Sequence, residues 1–414
     1  MMPLRIPATI SLSPGETRIV GLALAVKTAM AAFMLFVFYQ FSDFEQVHHL
    51  STRWYTGTEN RTAWYLAFAN WDGQHYLILS DLGYKHLSLS QGFYPLYPML
   101  IRALSPVFSP WMSGLILNYL FTAGFCVFLY RIAAHMKCPK PHLAVLMLLA
   151  FPTAFFTGAI YTEALFLFLL TGFLYHLLVT RSYAILMYAF LMPLTRGTAA
   201  FVAGGLLLHT ALEYARASSR AKKRARAAQI EPGKPFDWRY PALCLAAFFA
   251  GALAYLLFMQ LATGNAFAGF AVQDRFPAQN KTSNLFIPTI FLRHLIADIK
   301  FFGALLASLE NLRSFHHMLP DHGVALFFLG ALILVLRREW ALLCFYFPLV
   351  YAHTAISAGT TTAYFRYMLS AAPFLVLAWL KAAPRPAATY ALCAVLFAAQ
   401  LYFAYRFSVN LWAG

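Results

Sequence analysis

Eleven apolar stretches, each close to the roughly 20 residues a helix needs to cross a bilayer, set the terms on which this 414-residue chain can fold. They lie at 19–41, 111–134, 142–159, 163–180, 183–197, 198–216, 240–262, 321–337, 340–358, 367–382 and 388–409. A soluble globule is excluded. With 61% hydrophobic and only 11% charged residues, the chain has too little polar surface to cover one. The expected fold class is therefore an all-α polytopic membrane protein, a single integral membrane domain over residues 1–414. The first stretch reads as a span and not as a signal peptide, because its apolar core is long and no small-residue cleavage site follows Phe41. The five cysteines lie in or beside apolar stretches without metal-ligand spacing and read as small buried hydrophobes.

The net charge of +16 gathers at the ends of these stretches, where loop charges orient helices. With the N-terminus placed in the cytoplasm, the inner segments receive 18 of the 31 basic residues, including Arg131, Arg181, Arg337, Arg338 and the run Arg216, Arg220, Lys222, Lys223, Arg224, Arg226, Lys234 and Arg239. The positive-inside rule then makes residues 217–239 a basic cytoplasmic loop. Nucleic acid is not an expected partner, since no basic and aromatic stripe occurs in a soluble domain.

The same alternation leaves two long outer segments. The first, 42–110, ends in a stretch carrying Leu96, Leu100, Ile101 and Leu104 at helical spacing, which predicts a helix along the membrane interface. The second, 263–320, has an apolar middle at 285–306 interrupted by Pro288, Arg293, Asp298 and Lys300. It reads as an interfacial or re-entrant helix pair in preference to a twelfth span, because the former keeps Arg337 and Arg338 inside.

The first outer loop holds the densest polar and aromatic run: Trp71-Asp72-Gly73-Gln74-His75-Tyr76, then Gly83-Tyr84, then Phe93-Tyr94-Pro95-Leu96-Tyr97-Pro98. On a short helix over 71–83, Asp72, His75 and Tyr76 share one face at i, i+3 and i+4. A carboxylate there can take a proton from an acceptor hydroxyl as a general base, or hold a metal ion, while His75 could contact a phosphate. Equally, Asp72 could cap the helix and His75 could be an interfacial polar residue. Trp71 and Tyr94 are candidates for stacking on a sugar. The remaining aromatics, among 40 Phe and 23 Tyr, read as lipid-facing surface and interfacial belt. The pairs His48-His49 and His316-His317, with His322, lack an acidic or cysteine partner at ligand spacing and read as interfacial histidines, not as a metal site. No cofactor is expected.

These blocks resemble the first-loop signature of the PIG-V mannosyltransferases, the second GPI mannosyltransferase and its prokaryotic relatives, within the GT-C class of membrane glycosyltransferases. The likeness continues through Phe151-Pro152 to Phe156, through Tyr161-Thr162-Glu163-Ala164-Leu165-Phe166, and through Leu194-Thr195-Arg196-Gly197. It is looser in the C-terminal half, at Gln273 and at Arg366-Tyr367. The chain departs from it at Thr195-Arg196-Gly197-Thr198, where relatives often carry Arg-Ser-Asn-Gly.

The resemblance implies a GT-C-like fold with about 11 transmembrane helices and an inverting transfer of a sugar, mannose by analogy, from a polyprenyl-phosphate donor to an acceptor hydroxyl on the outer face. It makes Asp72 the general base. The departing lipid phosphate needs positive charge or donors, for which Arg366 and Arg196 rank ahead of Arg275 and Lys281, two residues that could equally snorkel to headgroups. Glu163, at the start of a helix, serves either the helix dipole or the substrate. Expected partners are the lipid-linked donor, a glycan, glycolipid or protein acceptor, and membrane lipids. The location would be the inner membrane of a prokaryotic cell or the endoplasmic reticulum membrane of a eukaryote. A secondary transporter and a non-catalytic membrane subunit are the rival classes.

Overall fold

The computed structural model describes residues 12–42, 63–226, 236–275, 282–308, 310–311, 316–356, 363–382 and 385–411. Among them no strand occurs, and the secondary structure is helical. Helix α1 (Pro14–Phe41) starts on a capping box: Ser13 Oγ accepts from the Glu16 amide while Glu16 Oε2 accepts from Ser13 N at 2.8 Å. After α1 the segment 63–109 contributes α2 (Asp72–Asp81) and α3 (Leu96–Leu104), followed by α4 (Pro110–His135), α5 (His142–Leu149) and α6 (Glu163–Tyr175). Next come α7 (Ile185–Leu191), α8 (Ala199–Arg226), α9 (Arg239–Thr263) and α10 (Pro288–Ala307). The chain closes with α11 (Val324–Leu336), α12 (Trp340–Ile356), α13 (Tyr364–Met368), α14 (Ala372–Ala382) and α15 (Pro386–Ser408). Proline opens α1, α4, α10 and α15, at a position where its missing N–H has no helical partner to lose.

Among the described residues, five helical segments are long and apolar enough to cross a bilayer: Pro14–Phe41, Pro110–His135, Glu163–Thr180, Arg239–Thr263 and Pro386–Ser408. The stretches at 183–197, 321–337, 340–358 and 367–382 form shorter apolar helices. Helix α6 packs on α4, α8 on α12, α9 on α7, and α1 on α4, with α1 also touching α15. A helix forms where the spacing of Leu96, Leu100, Ile101 and Leu104 predicts one: α3, which buries Tyr97, Pro98 and Ile101.

The apolar stretch 142–159 is not one span. Helix α5 lasts eight residues, about 12 Å of rise, and the chain then turns through a short 3-10 segment, Ala154–Thr157. The reason is visible in the neighbouring side chains, which take the carbonyls that a continuous helix would have used. Lys27 Nζ of α1 donates to Ala154 O at 2.7 Å, Gln400 Nε2 of α15 to Leu149 O at 3.1 Å, and Thr122 Oγ1 of α4 to Thr157 O at 3.4 Å. Asn118 Nδ2 donates to Ala159 O and, at 3.3 Å, to Tyr161 O. Irregular backbone among apolar helices persists only where protein groups satisfy it in this way. Lys27, 3% exposed, is thus the partner that the break requires. The segment delivers Phe156, Tyr161 and Glu163 to the start of α6.

The segment 263–320 also differs from expectation. Its middle is one unbroken 20-residue helix, α10, and not a pair. Asp298 on α10 is 1% exposed and spends both oxygens on the start of α11. Its Oδ1 accepts from Gly323 N at 3.1 Å and from His322 Nδ1 at 3.0 Å, and its Oδ2 accepts from Ala325 N at 2.9 Å. A helix whose own N-cap is a glycine, Gly323, is therefore capped from another helix. Two residues before Gly323, Asp321 Oδ1 accepts from Ala363 N at 2.7 Å. Ala363 holds a left-handed φ of 60° immediately before α13, the short helix that carries Arg366.

Candidate functional site

The four charged residues singled out in the sequence, Asp72, Glu163, Arg196 and Arg366, form one continuous ion-pair chain. Asp72 Oδ2 lies 2.6 Å from an Arg366 terminal nitrogen, Arg366 Nε donates to Glu163 Oε1 at 2.8 Å, and Arg196 donates to the same Glu163 oxygen at 3.0 Å. Four elements of the fold converge here: the start of α2, the start of α6, the turn before α8, and α13. The charges sum to zero. Glu163 and Arg366 are buried, with side chains 1% and 5% exposed, while Asp72 is 30% exposed and forms the accessible end of the chain.

Local backbone geometry presents Asp72 at that end. Trp71, the residue before α2, has φ 53° and ψ −120°, an uncommon conformation for a residue with a Cβ and one that concentrates at functional sites. Asp72 occupies the first helical position, and Trp71 makes no side-chain capping bond to the helix start. Its carboxylate bonds Arg366, not the helix end, which argues against a mere cap. Glu163 likewise opens α6, yet one oxygen is shared by two arginines. Its second oxygen, Oε2, is buried without a hydrogen-bond partner among the described residues.

Aromatic rings enclose the arginines. The Arg366 guanidinium lies 4.7 Å from the Tyr161 ring centre, 5.3 Å from Phe156 and 5.6 Å from Tyr367, and Arg196 lies 5.5 Å from Tyr367. Such faces stabilise a cation that has given up water. Burial alone would lower the pKa of Arg366, but the Asp72 and Glu163 carboxylates hold it well above the ordinary arginine value. Tyr161 and Tyr367 were not singled out in the sequence. Their only signal there is position, beside the Thr-Glu pair and beside Arg366.

The other candidates form the wall. His75 turns to the loop: Nδ1 bonds Ser90 Oγ at 2.8 Å and the ring stacks on Phe93 at 4.5 Å. Burial lowers its pKa, with Asp72 acting in the opposite direction. The Tyr76 hydroxyl meets Thr162 Oγ1 at 3.3 Å. Its pKa is raised, first by burial and then by Glu163. Tyr94 stacks on Tyr255 at 4.7 Å, which covers one of its two faces, and burial pushes its pKa up to about 12. A Cβ at Gly197 would come within 2.8 Å of the Tyr94 hydroxyl, so glycine after Arg196 makes room for Tyr94. Gln273 donates to Gly269 O at 3.3 Å and Arg275 to Ser88 Oγ at 3.4 Å; neither joins the ion-pair chain. His322 bonds Asp298 and stacks on Phe301 at 3.7 Å. His48, His49 and Lys281 lie outside the described residues, as do the side chains of His316 and His317.

Chemically, the arrangement offers one accessible carboxylate beside a buried arginine whose other bonds are already fixed. A ligand bearing a phosphate would compete with Asp72 for Arg366, and a hydroxyl would compete with Arg366 for Asp72. No protein-family model matches the chain, and no curated protein matches it.

Proposed function

We propose that the chain is an inverting glycosyltransferase that moves a sugar, mannose by resemblance, from a polyprenyl-phosphate donor to an acceptor hydroxyl, at a site on the extracytoplasmic face of the membrane. The observation that carries this reading is the 2.6 Å contact between Asp72 and Arg366. It supports the reading because Asp72 as base and Arg366 as phosphate ligand would then stand side by side at the start of the loop helix.

In this reaction the acceptor O–H gives its proton to Asp72 as the oxygen bonds the anomeric carbon. The bond from that carbon to the lipid phosphate oxygen breaks, and the phosphate leaves with the electron pair. Charge grows on the phosphate as the sugar departs, so donors already fixed at that point stabilise the transition state more than the ground state. Arg366 and Arg196 supply them, and Glu163 holds both in place.

The test uses the purified full-length chain, radiolabelled polyprenyl-phosphate mannose and a membrane lipid extract as the source of acceptors. Release of label into a product with loss of the lipid-linked donor is the expected outcome; uptake of intact donor into vesicles would identify a translocase instead. Asp72→Asn should bind donor at least as well as the wild type, because Arg366 is then freer, yet lose turnover by roughly 10² to 10⁴. Arg366→Lys should fall by on the order of a hundredfold, since a point charge cannot bond Asp72 and Glu163 through a planar fork. Transfer at the wild-type rate by well-folded Asp72→Asn would remove Asp72 as the base.

A further inference from the structure

A second polar site lies at the far end of α6 from the ion-pair chain. The helical segment Glu163–Thr180 separates the two by 18 residues, about 27 Å of rise. There α8 and α9 enclose a cavity of about 270 Å³, lined among others by Arg181, His209, Glu213, Arg220, Asp237 and Tyr240. Both carboxylates are already engaged. Glu213 pairs with Arg216 at 2.9 Å, and Asp237 Oδ1 accepts from the Arg239 amide at 3.0 Å. Arg181 and Arg220 have no ion-pair partner among the described residues, and with Arg216, the partner of Glu213, three arginines stand here against two carboxylates. Arg181 is held at the mouth by a left-handed φ of 51°, with its guanidinium 6.0 Å from the Tyr240 ring centre.

Two further observations point to a ligand. His209 is only 5% exposed, and its two ring nitrogens are buried with no hydrogen-bond partner among the described residues. A buried ring without partners is costly, and here it lines the cavity. Adjoining the cavity, and sharing Thr210 and Pro241 with it, is an apolar groove of about 320 Å³ lined by Leu207, Ala211, Tyr214, Trp238, Ala242 and Leu245. Cationic cavity and apolar groove together match an amphiphile with an anionic head and a hydrocarbon chain.

We propose that the cavity between α8 and α9, together with its adjoining groove, binds an anionic phospholipid, its phosphate held by Arg181, Arg220 and His209 and one acyl chain lying along Leu207, Ala211, Trp238 and Leu245. Arginine suits the phosphate through paired N–H donors, and the neutral histidine ring supplies one donor. The free ion lacks the chain that the groove takes. This site is independent of the transferase reading, because none of its residues touches the ion-pair chain.

Trp238 provides the readout. The full-length chain, stripped of lipid in detergent, is titrated with phosphatidylglycerol brominated on its acyl chains, and the quenching that Trp238→Phe abolishes is followed. Saturable quenching is expected at low lipid content, with the half-point raised about tenfold in Arg181→Gln/Arg220→Gln. Ala211→Leu, which fills the groove without altering charge, should weaken binding similarly. Melting temperatures in lipid-free detergent check that each variant folds; if the double arginine variant does not, His209→Phe and Ala211→Leu decide. Three results would overturn the assignment: equal quenching by brominated diacylglycerol, displacement of the lipid by inorganic phosphate at comparable concentration, or unchanged half-points in the folded variants.

Discussion

Glu163 shows most clearly how the two levels of description differ. In sequence it is an acidic residue at a helix start, for which the dipole is sufficient explanation. In the fold its Oε1 receives both Arg196 and Arg366, and the helix end is incidental. Glu163→Gln therefore should not be a mild change. It leaves two arginines beside a neutral amide in a site where breaking a buried pair costs about 3–5 kcal/mol, so a clear fall in melting temperature should accompany loss of donor binding. Asp72→Asn, at the more exposed end, should melt close to the wild type. Thermal unfolding of the two variants in the same detergent checks this, and equal melting temperatures would contradict the chain as drawn. The identities of the four charged residues were legible in the sequence because charge is rare in so apolar a chain. Their pairing was not, because Arg366 meets Glu163 across 203 residues and nothing local records that distance.

Helices were legible where apolar length alone defines them, as in α1, α4, α9 and α15. They were misread where a distant side chain supports a break. The stretch 142–159 is apolar enough to span, yet Lys27, Gln400, Thr122 and Asn118 from three other helices take its carbonyls. The opposite holds for α10, which its charges mark as an interrupted pair and which is one unbroken helix. Asp298 is not an interruption but the cap of α11, and the neighbouring Asp321 fixes the amide before α13. Asp298 and Asp321 thereby reach the helix of Arg366 through bonds to backbone amides. Asp298→Ala removes bonds to two backbone amides and should destabilise the chain by about 1–2 kcal/mol. If α13 is positioned through this link, the variant should also bind the lipid-linked donor more weakly, although Asp298 lies outside the ion-pair chain. Thermal melting and donor titration on one preparation separate the effects; loss of stability with donor affinity intact would confine Asp298 to capping.

For the molecule as a whole, the two ends of α6 carry different chemistry, and that difference fixes what orientation requires. At the Glu163 end the cluster Asp72, Glu163, Arg196 and Arg366 is electrically balanced. At the Arg181 end stand Arg181, Arg216 and Arg220, continuing in sequence into the basic run that ends at Arg239. An excess of positive charge in short loops marks the cytoplasmic side, so the balanced cluster should face outward. Single cysteines test this directly, since Ser219 and Ser88 are both exposed, one on the basic half of α8 and the other in the loop beside His75. The native cysteines compete little: Cys126, Cys138, Cys244 and Cys393 are buried and Cys344 is partly so, and replacing Cys344 by Ala removes the accessible background. In intact cells a membrane-impermeant maleimide should label Ser88→Cys and leave Ser219→Cys unmodified until the membrane is opened. The reverse pattern would put the ion-pair cluster on the cytoplasmic side, where a donor in the outer leaflet could not reach Asp72, and would exclude the proposed transfer whatever the variants at Asp72 do.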